Sequence, residues 1–408
     1  MRTVWKHVRD AWLILGVTLL LLGLVEAAFS LGFAVNDRLS PPVPAAATSL
    51  AGADTYPDQR WVEQYDDEFE RSSAARWEPY VYWRRRPFQG AHINVDESGI
   101  RRTSSQPVDT GGSPDPLKIY MFGGSAMWGT GARDEYTIPS ILTRELAQRG
   151  LAVEITNFGE SGYVSTQEVI ALLRQLQAGQ RPDLVVFYDG VNDMFSAYQQ
   201  QVAGIPQNEF NRVEEFNLSQ PEKLRPRAIM TLRDAARGMA SARFAKWLLM
   251  ETGLLHRPAF AVRPMPGSGI APGKSSLATS VIDTYTSNID IVRALGDDYR
   301  FQHLFYWQPT VFEKTRLSDY EAAEQAKLAP VETFAREVRD ALNRSGLAAM
   351  PEYSFADLGP IFADVREPVF VDWCHLGESG NETIARRMAA DVVAVMAREE
   401  RPTATGGH

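Results

Sequence analysis

The chain of 408 residues carries 42 Lys and Arg against 51 Asp and Glu, a formal net charge of −9, and 44% of it is hydrophobic. That composition excludes a multi-span membrane protein, while 9 Trp, 14 Tyr and 19 Phe supply enough apolar surface to exclude long disorder. An acidic chain without a basic domain is a poor nucleic-acid ligand, and one cysteine excludes both an intramolecular disulfide and a cysteine-based structural metal site.

Residues 11–35 (AWLILGVTLLLLGLVEAAFSLGFAV) hold a single charge, Glu26. A transmembrane helix needs about 20 apolar residues and a signal-peptide core about 7–15. Val25-Glu26-Ala27 passes for a small-residue cleavage site, so residues 1–35 read as a signal peptide or an anchor. The apolar continuation after Glu26 favours the uncleaved anchor. Arg2, Lys6 and Arg9 precede the segment and keep the N-terminus cytoplasmic by the positive-inside rule. The expectation is a single-pass protein of a bacterial inner membrane, with its working part periplasmic or extracellular. Residues 36–58, rich in Pro and Ala, read as a tether.

Residues 59–116 are aromatic and charged, with short β-like runs at 80–83 and 92–95. They read as an extension packed on the main domain. Within it, Arg84-Arg85-Arg86 suits a solvated charged edge, or a surface that meets anionic lipid or an acidic polymer.

From residue 117 short apolar runs alternate with helix-period segments, the pattern of βαβ units. Residues 118–122, 153–157 and 184–188 are apolar enough for strands buried on both faces, and 301–307 and 353–356 follow. Helices are predicted at 138–149, 166–178, 280–295, 320–345 and 378–397. The predicted fold is a three-layer α/β/α sandwich over 117–398, with a flavodoxin-like parallel sheet of about five strands and one transmembrane helix ahead of it. An insert at 194–276 interrupts the alternation. Its helical stretch, 228–255, suits a lid over the sheet edge or a helix on a membrane surface. Residues 399–408 form a tail.

Four loop elements follow the strands. Gly123-Gly124-Ser125 leaves the first strand and leads into a helix, which presents a hydroxyl where open α/β sheets bind ligands. Asn157-Phe158-Gly159-Glu160-Ser161-Gly162 ends the second strand, and a glycine there brings a bare backbone N–H to a substrate oxygen. Asp189-Gly190-Val191-Asn192-Asp193 ends the third and can aim the Asn192 amide into the same cleft. In Asp372-Trp373-Cys374-His375 a carboxylate three residues before a histidine can hold Nδ1–H and leave Nε2 free as a base. Of six histidines, only His375 has both a neighbouring carboxylate and such a position; His303 falls inside a buried strand. Each element alone is a common turn.

Together, in this order, they resemble the SGNH (GDSL-type) hydrolase superfamily over about 117–397, in particular its membrane-anchored bacterial members. The resemblance implies Ser125 as nucleophile, His375 as general base and Asp372 as its orienting acid. It also implies Ser125 N–H, Gly162 N–H and the Asn192 side chain as oxyanion donors, with Gly162 preferred to Gly159. The first block departs from the family's Gly-Asp-Ser-Leu, reading Gly123-Gly124-Ser125-Ala126; the missing acid is no member of the triad. Cys374 beside the base is not expected to be the nucleophile. No metal or organic cofactor is called for. If water accepts the acyl group, the expected enzyme is an esterase or deacetylase on acylated cell-surface carbohydrate. If a sugar hydroxyl accepts it, the enzyme is an O-acyltransferase for an exported polysaccharide, with a membrane acyltransferase as a candidate partner. A non-catalytic carbohydrate-binding or scaffold role is the third reading.

Overall fold

Strands buried on both faces cannot alternate polar and apolar residues, so they appear in a sequence as continuous apolar runs. Five such runs form one parallel sheet: β1 (Leu117–Gly123), β2 (Val153–Asn157), β3 (Leu184–Asp189), β4 (Gln302–Trp307) and β5 (Phe355–Asp357). In this computed structural model, which describes residues 2–39, 50, 52–57, 60–104, 115–219, 238–252, 254, 262 and 276–399, the strand order is β2-β1-β3-β4-β5. That is the flavodoxin-like order, and its switch point lies between β1 and β3. Helices Ile138–Gln148 and Glu378–Glu399 pack together on one face. Helices Ser165–Gln177, Val191–Gln200, Leu277–Tyr299 and Ala329–Ser345 pack together on the other. The fold is the expected α/β/α sandwich.

A ladder of phenyl rings runs across the sheet. Phe122, Phe187 and Phe305 are in register on β1, β3 and β4. Their rings stack at 5.0 and 5.1 Å, and Phe158 extends the row at 5.1 Å from Phe122. Stacked aromatic pairs add about 0.5–1.5 kcal/mol each beyond area burial. This row fixes the strand ends from which the site loops leave.

The helix expected over 280–295 is longer, Leu277–Tyr299, and three further boundaries shift. The helix expected over 320–345 is two, Asp319–Ala326 and Ala329–Ser345, because Pro330 lacks an N–H and disfavours helical backbone before it. The last strand begins at Phe355, since Pro351–Tyr353 forms a 3-10 turn. Residues Val191–Gln200 are helical immediately after β3, inside what the sequence pattern left as the start of the insert.

The chain divides into two compact units, residues 47–210 with 262–408, and residues 1–46 with 211–261. In the first, residues of the extension wrap the sheet unit. Its hairpin pairs Ala75–Glu78 with Tyr82–Arg85, and a shorter pair joins Phe88–Gln89 to Asn94–Val95. The tether expected to reach residue 58 is packed before that: Leu50 is buried with Val62, Tyr65, Ile93, Trp128 and Val371. Thr55 Oγ1 donates to the Phe370 carbonyl at 2.9 Å, and Tyr56 hydroxyl to that of Gly131 at 2.6 Å.

Of Arg84-Arg85-Arg86, only Arg86 is exposed; the other two are not a solvated edge. Arg84 and Arg85 are only 6% and 4% exposed. Arg84 donates to the Phe158 carbonyl at 3.1 Å, and Arg85 pairs with Glu160 and donates to Ser161 Oγ at 2.9 Å. The Arg85 guanidinium lies 3.7 Å from the Trp128 ring centre, with Arg101 4.3 Å from the same ring. Two cations therefore share the indole that follows Ser125 by three residues. Each is neutralised by a buried acid, Glu160 for Arg85 and Asp134 for Arg101.

In the second unit α1 (Arg2–Leu39) is one continuous helix. Residues 5–35 are long and apolar enough to cross a membrane, and none of their most apolar window is buried within the protein. Besides Glu209–Ser219, the described part of the insert holds a helix α2 (Ala240–Glu251), which lies along α1. Residues 228–237, the earlier part of the stretch expected to be helical, lie outside the described residues.

Candidate active site

Parallel strands end on the same side of the sheet, so the loops after β1, β2 and β3 converge. After β1 the backbone turns at Gly124 into a single helical turn, Ser125–Trp128, which carries the serine at its first position. A side chain at 124 would collide with Nδ2 of Asn192, so glycine is required for the close approach.

Ser125 Oγ lies 2.6 Å from His375 Nε2, and His375 Nδ1 lies 2.6 Å from Asp372 Oδ2. The other Asp372 oxygen accepts the backbone N–H groups of Cys374 at 2.9 Å and His375 at 2.7 Å. Burial raises the cost of the Asp372 charge, but His375 and these two N–H groups outweigh it and bring the carboxyl down to about 2. Asp372 is therefore ionised and fixes the Nδ1–H tautomer, leaving Nε2 free to take the serine proton.

The turn that holds this pair is clamped from outside. Phe370 bridges to Leu376, and Val371 N–H donates to the His375 carbonyl at 2.9 Å. Tyr320 hydroxyl donates to the Val371 carbonyl at 2.6 Å, and Val311 N–H to that of Trp373 at 2.9 Å. A two-bond reach from serine to carboxylate survives only if the histidine turn cannot drift.

The loop after β2 is fastened to the serine turn. Asn157 Nδ2 donates to the Met127 carbonyl at 3.1 Å, and Glu160 N–H to that of Gly123 at 3.0 Å. Gly159 N–H is used within the loop, donating to Asn157 Oδ1 at 3.0 Å. Gly162 has φ +79°, a left-handed conformation that favours glycine. Asn192 stands in the first turn of helix Val191–Gln200, its amide nitrogen against Gly124.

Two neighbours escaped the sequence reading. Gln207 Nε2 donates to Asn192 Oδ1 at 3.2 Å, which turns Nδ2 of that amide toward the serine loop. Trp83, from the extension, donates its indole N–H to the Ser161 carbonyl at 2.9 Å, with its ring beside Gly162. Neither has a motif of its own. The only local signal was an aromatic run in the extension.

Behind Asn192 lie three buried acids. Burial raises Asp193 to about 6 even though its carboxylate accepts from Ser165 Oγ at 2.6 Å. Glu168 and Asp189 are pushed well up by burial and, for Glu168, by the charge of Asp189. Cys374 is buried, and burial followed by the Asp372 charge raises its thiol. That keeps the sulfur protonated and a poor nucleophile. Among the described residues, Asp372, Cys374 and His375 also bring three donor atoms within 4.8 Å of one another. Two of those donors are spent on each other and the third carries its proton, so the set fits a hydrogen-bonded relay better than a metal.

The chain matches the family model described as GDSL-like lipase/acylhydrolase over residues 119–388. No curated protein matches it. Among solved structures it is similar to an acetyl xylan esterase, AlAXEase, at 13% identity, over 68% of this chain and 99% of that one, with a TM-score of 0.35. A member of the lipolytic protein G-D-S-L family from Veillonella parvula matches at 14% identity, over 69% and 99% of the two chains, with a TM-score of 0.35. Axe2, an acetylxylan esterase from Geobacillus stearothermophilus, matches at 13% identity, over 68% and 94%, with a TM-score of 0.32.

Proposed function

The chain belongs to the GDSL-like lipase/acylhydrolase family, and on that premise we propose that it is a serine-dependent ester hydrolase acting on acylated carbohydrate at the cell surface. The observation that carries the reading is the unbroken relay Ser125 Oγ–His375 Nε2 and His375 Nδ1–Asp372 Oδ2, both links at 2.6 Å. His375 takes the Ser125 proton as the oxygen attacks the ester carbonyl. The oxyanion forms against Ser125 N–H, Gly162 N–H and Asn192 Nδ2, each donor worth about 3–4 kcal/mol in the transition state. His375 then returns the proton to the leaving alkoxide, and water, deprotonated by the same imidazole, releases the acyl group. Gly162 is preferred over Gly159 because the Gly159 N–H is already bonded to Asn157.

α1 serves as a single-pass anchor of the bacterial inner membrane, with the catalytic unit periplasmic. The basic residues Arg2, Lys6 and Arg9 ahead of the span support that orientation. A surface carbohydrate is then the polymer within reach, and Trp83 beside Gly162 offers it an aromatic edge.

The test follows acetate from an activated acetyl ester, using the full chain in detergent and its Ser125→Ala variant, with and without oligosaccharide acceptors. Acetate released without acceptor, and lost in the variant, supports hydrolysis. Acetylated oligosaccharide formed at the expense of acetate overturns it in favour of acyl transfer. Equal behaviour of the two proteins overturns catalysis altogether.

A further inference from the structure

Glu26 is the one charge in the apolar stretch 11–35, and an unpaired carboxylate there would be costly in lipid. It is not unpaired. Its carboxylate accepts the backbone N–H of Ala240 and, at 3.1 Å, that of Ser241. These are the first two residues of α2, whose own N-cap position, Met239, supplies no side-chain acceptor. Glu26 therefore does for α2 what a capping side chain ordinarily does, and it neutralises the positive end of the helix.

The contact continues along both helices. Phe29 stacks on Phe244 with ring centres 4.5 Å apart, and Phe244 meets Trp247 at 5.7 Å. Arg243 lies 4.1 Å over the Phe33 ring. Positions 26 and 29 of α1 thus match 240 and 244 of α2, so the helices run parallel from Glu26 toward residue 39. Beyond this seam α2 has no buried residue. Trp247, Leu248, Leu249 and Met250 are each between 37% and 51% exposed. Four consecutive bare apolar side chains make a poor aqueous surface, and they belong to a helix laid lengthwise on a candidate membrane span.

We propose that α2 is a second membrane-embedded helix, seated beside an uncleaved α1, with Trp247–Met250 in contact with lipid acyl chains. Arg243 and Lys246, both exposed, extend their aliphatic stems through the apolar layer and place their charges at the headgroups. The pairing also bears on the cleavage question raised by Val25-Glu26-Ala27. Cleavage after position 27 would remove Glu26, the cap of α2, and leave Phe29, the partner of Phe244, at the end of a stub too short to span a membrane.

The test uses the full chain in vesicles of phosphatidylethanolamine and phosphatidylglycerol. Leu248→Cys and Leu249→Cys carry a nitroxide, with Thr383→Cys on the exposed side of helix Glu378–Glu399 as the aqueous control; Cys374 is buried. Oxygen should relax the labels at 248 and 249 several-fold more than a water-soluble nickel chelate does, with the order reversed at 383. Stronger relaxation by nickel at 248 and 249 overturns the proposal. So does protection from both agents, which would mean that a protein partner or second copy covers the face. A second measurement leaves the backbone of the helix unlabelled. The fluorescence difference between wild type and Trp247→Phe should be quenched by lipids brominated on the acyl chain; an unquenched difference is refuting. The intact mass of the membrane-extracted protein should include residues 1–26, and a mass lacking them sinks the proposal as well.

Discussion

Replacing Asp372 by asparagine separates the electronic role of this residue from its structural one. The amide so introduced would keep an oxygen to accept the N–H groups of Cys374 and His375, now at 2.9 and 2.7 Å. What it cannot keep is the acceptor facing His375 Nδ1 at 2.6 Å, because an amide NH₂ takes that place. The imidazole then carries its proton on Nε2, which is 2.6 Å from Ser125 Oγ and must be a lone pair for the base step. Loss of the right tautomer costs about 10⁴-fold in kcat in a comparable triad. The stability effect is smaller. A carboxyl brought from 3.8 to about 2 contributes about 2–3 kcal/mol. Its folded value is the lower one, so this contribution is complete above pH 3.8 and drains away as the pH falls toward 2. The assay is kcat for an activated acetyl ester across the neutral range, with denaturant unfolding at pH 7 on the same preparations. Asp372→Asn should lose about three to four orders of magnitude in kcat and about 2–3 kcal/mol of stability. A kcat within about tenfold of wild type would refute the tautomer argument.

Gly124→Ala should lower kcat by about 10²-fold through displacement of the Asn192 amide, with the melting temperature nearly unchanged. An unchanged kcat would mean that Asn192 does not meet the reacting oxygen. Gln207→Leu should reduce kcat by about tenfold and leave KM steady, because it frees the Asn192 amide to rotate without removing it; a KM effect alone would count against it. Asp193 has a folded value raised to about 6 by burial, so its contribution is full below pH 3.8 and is lost as the pH rises through 6. The stability of Asp193→Asn relative to wild type should therefore increase by about 2–2.5 kcal/mol between pH 4 and pH 8, measured by urea unfolding, and a flat difference would contradict the assignment.

The sandwich was readable because its signals are local. Strands buried on both sides declare themselves over about five residues, and the serine, glycine and asparagine elements sit at the ends of such runs, whereas the Asp372–His375 turn lies well past the last strand, which ends at Asp357. Ser125 and Asn192 could be proposed without knowing their partners, since strand ends in a parallel sheet gather at one side; His375 stands at no strand end, and its only local signal was the carboxylate three residues before it. Arg84 and Arg85 could not. A run of three arginines looks solvated until Glu160, some 75 positions away, and the Trp128 ring close over it. Gln207 was hidden for a related reason: its effect passes through Asn192, and glutamine in an insert has no pattern. Glu26 read in the sequence only as the middle of a small-residue cleavage motif, and its partners lie in the first turn of a helix 214 positions on.

The fastening of Thr55 to Phe370 and of Tyr56 to Glu378 has a consequence for biogenesis. A chain made from its N-terminus at roughly 5–20 residues per second needs on the order of tens of seconds to cover the 315 positions separating the first pair. During that interval the serine turn exists without its histidine, and Leu50 and Tyr65 wait without Val371, the last member of their cluster. Such long-range closure delays folding, because loop entropy is spent before any contact repays it. Until residue 375 has been made, a nascent polypeptide of this design lacks the complete Ser125–His375–Asp372 relay and the contacts that close the sheet unit around it.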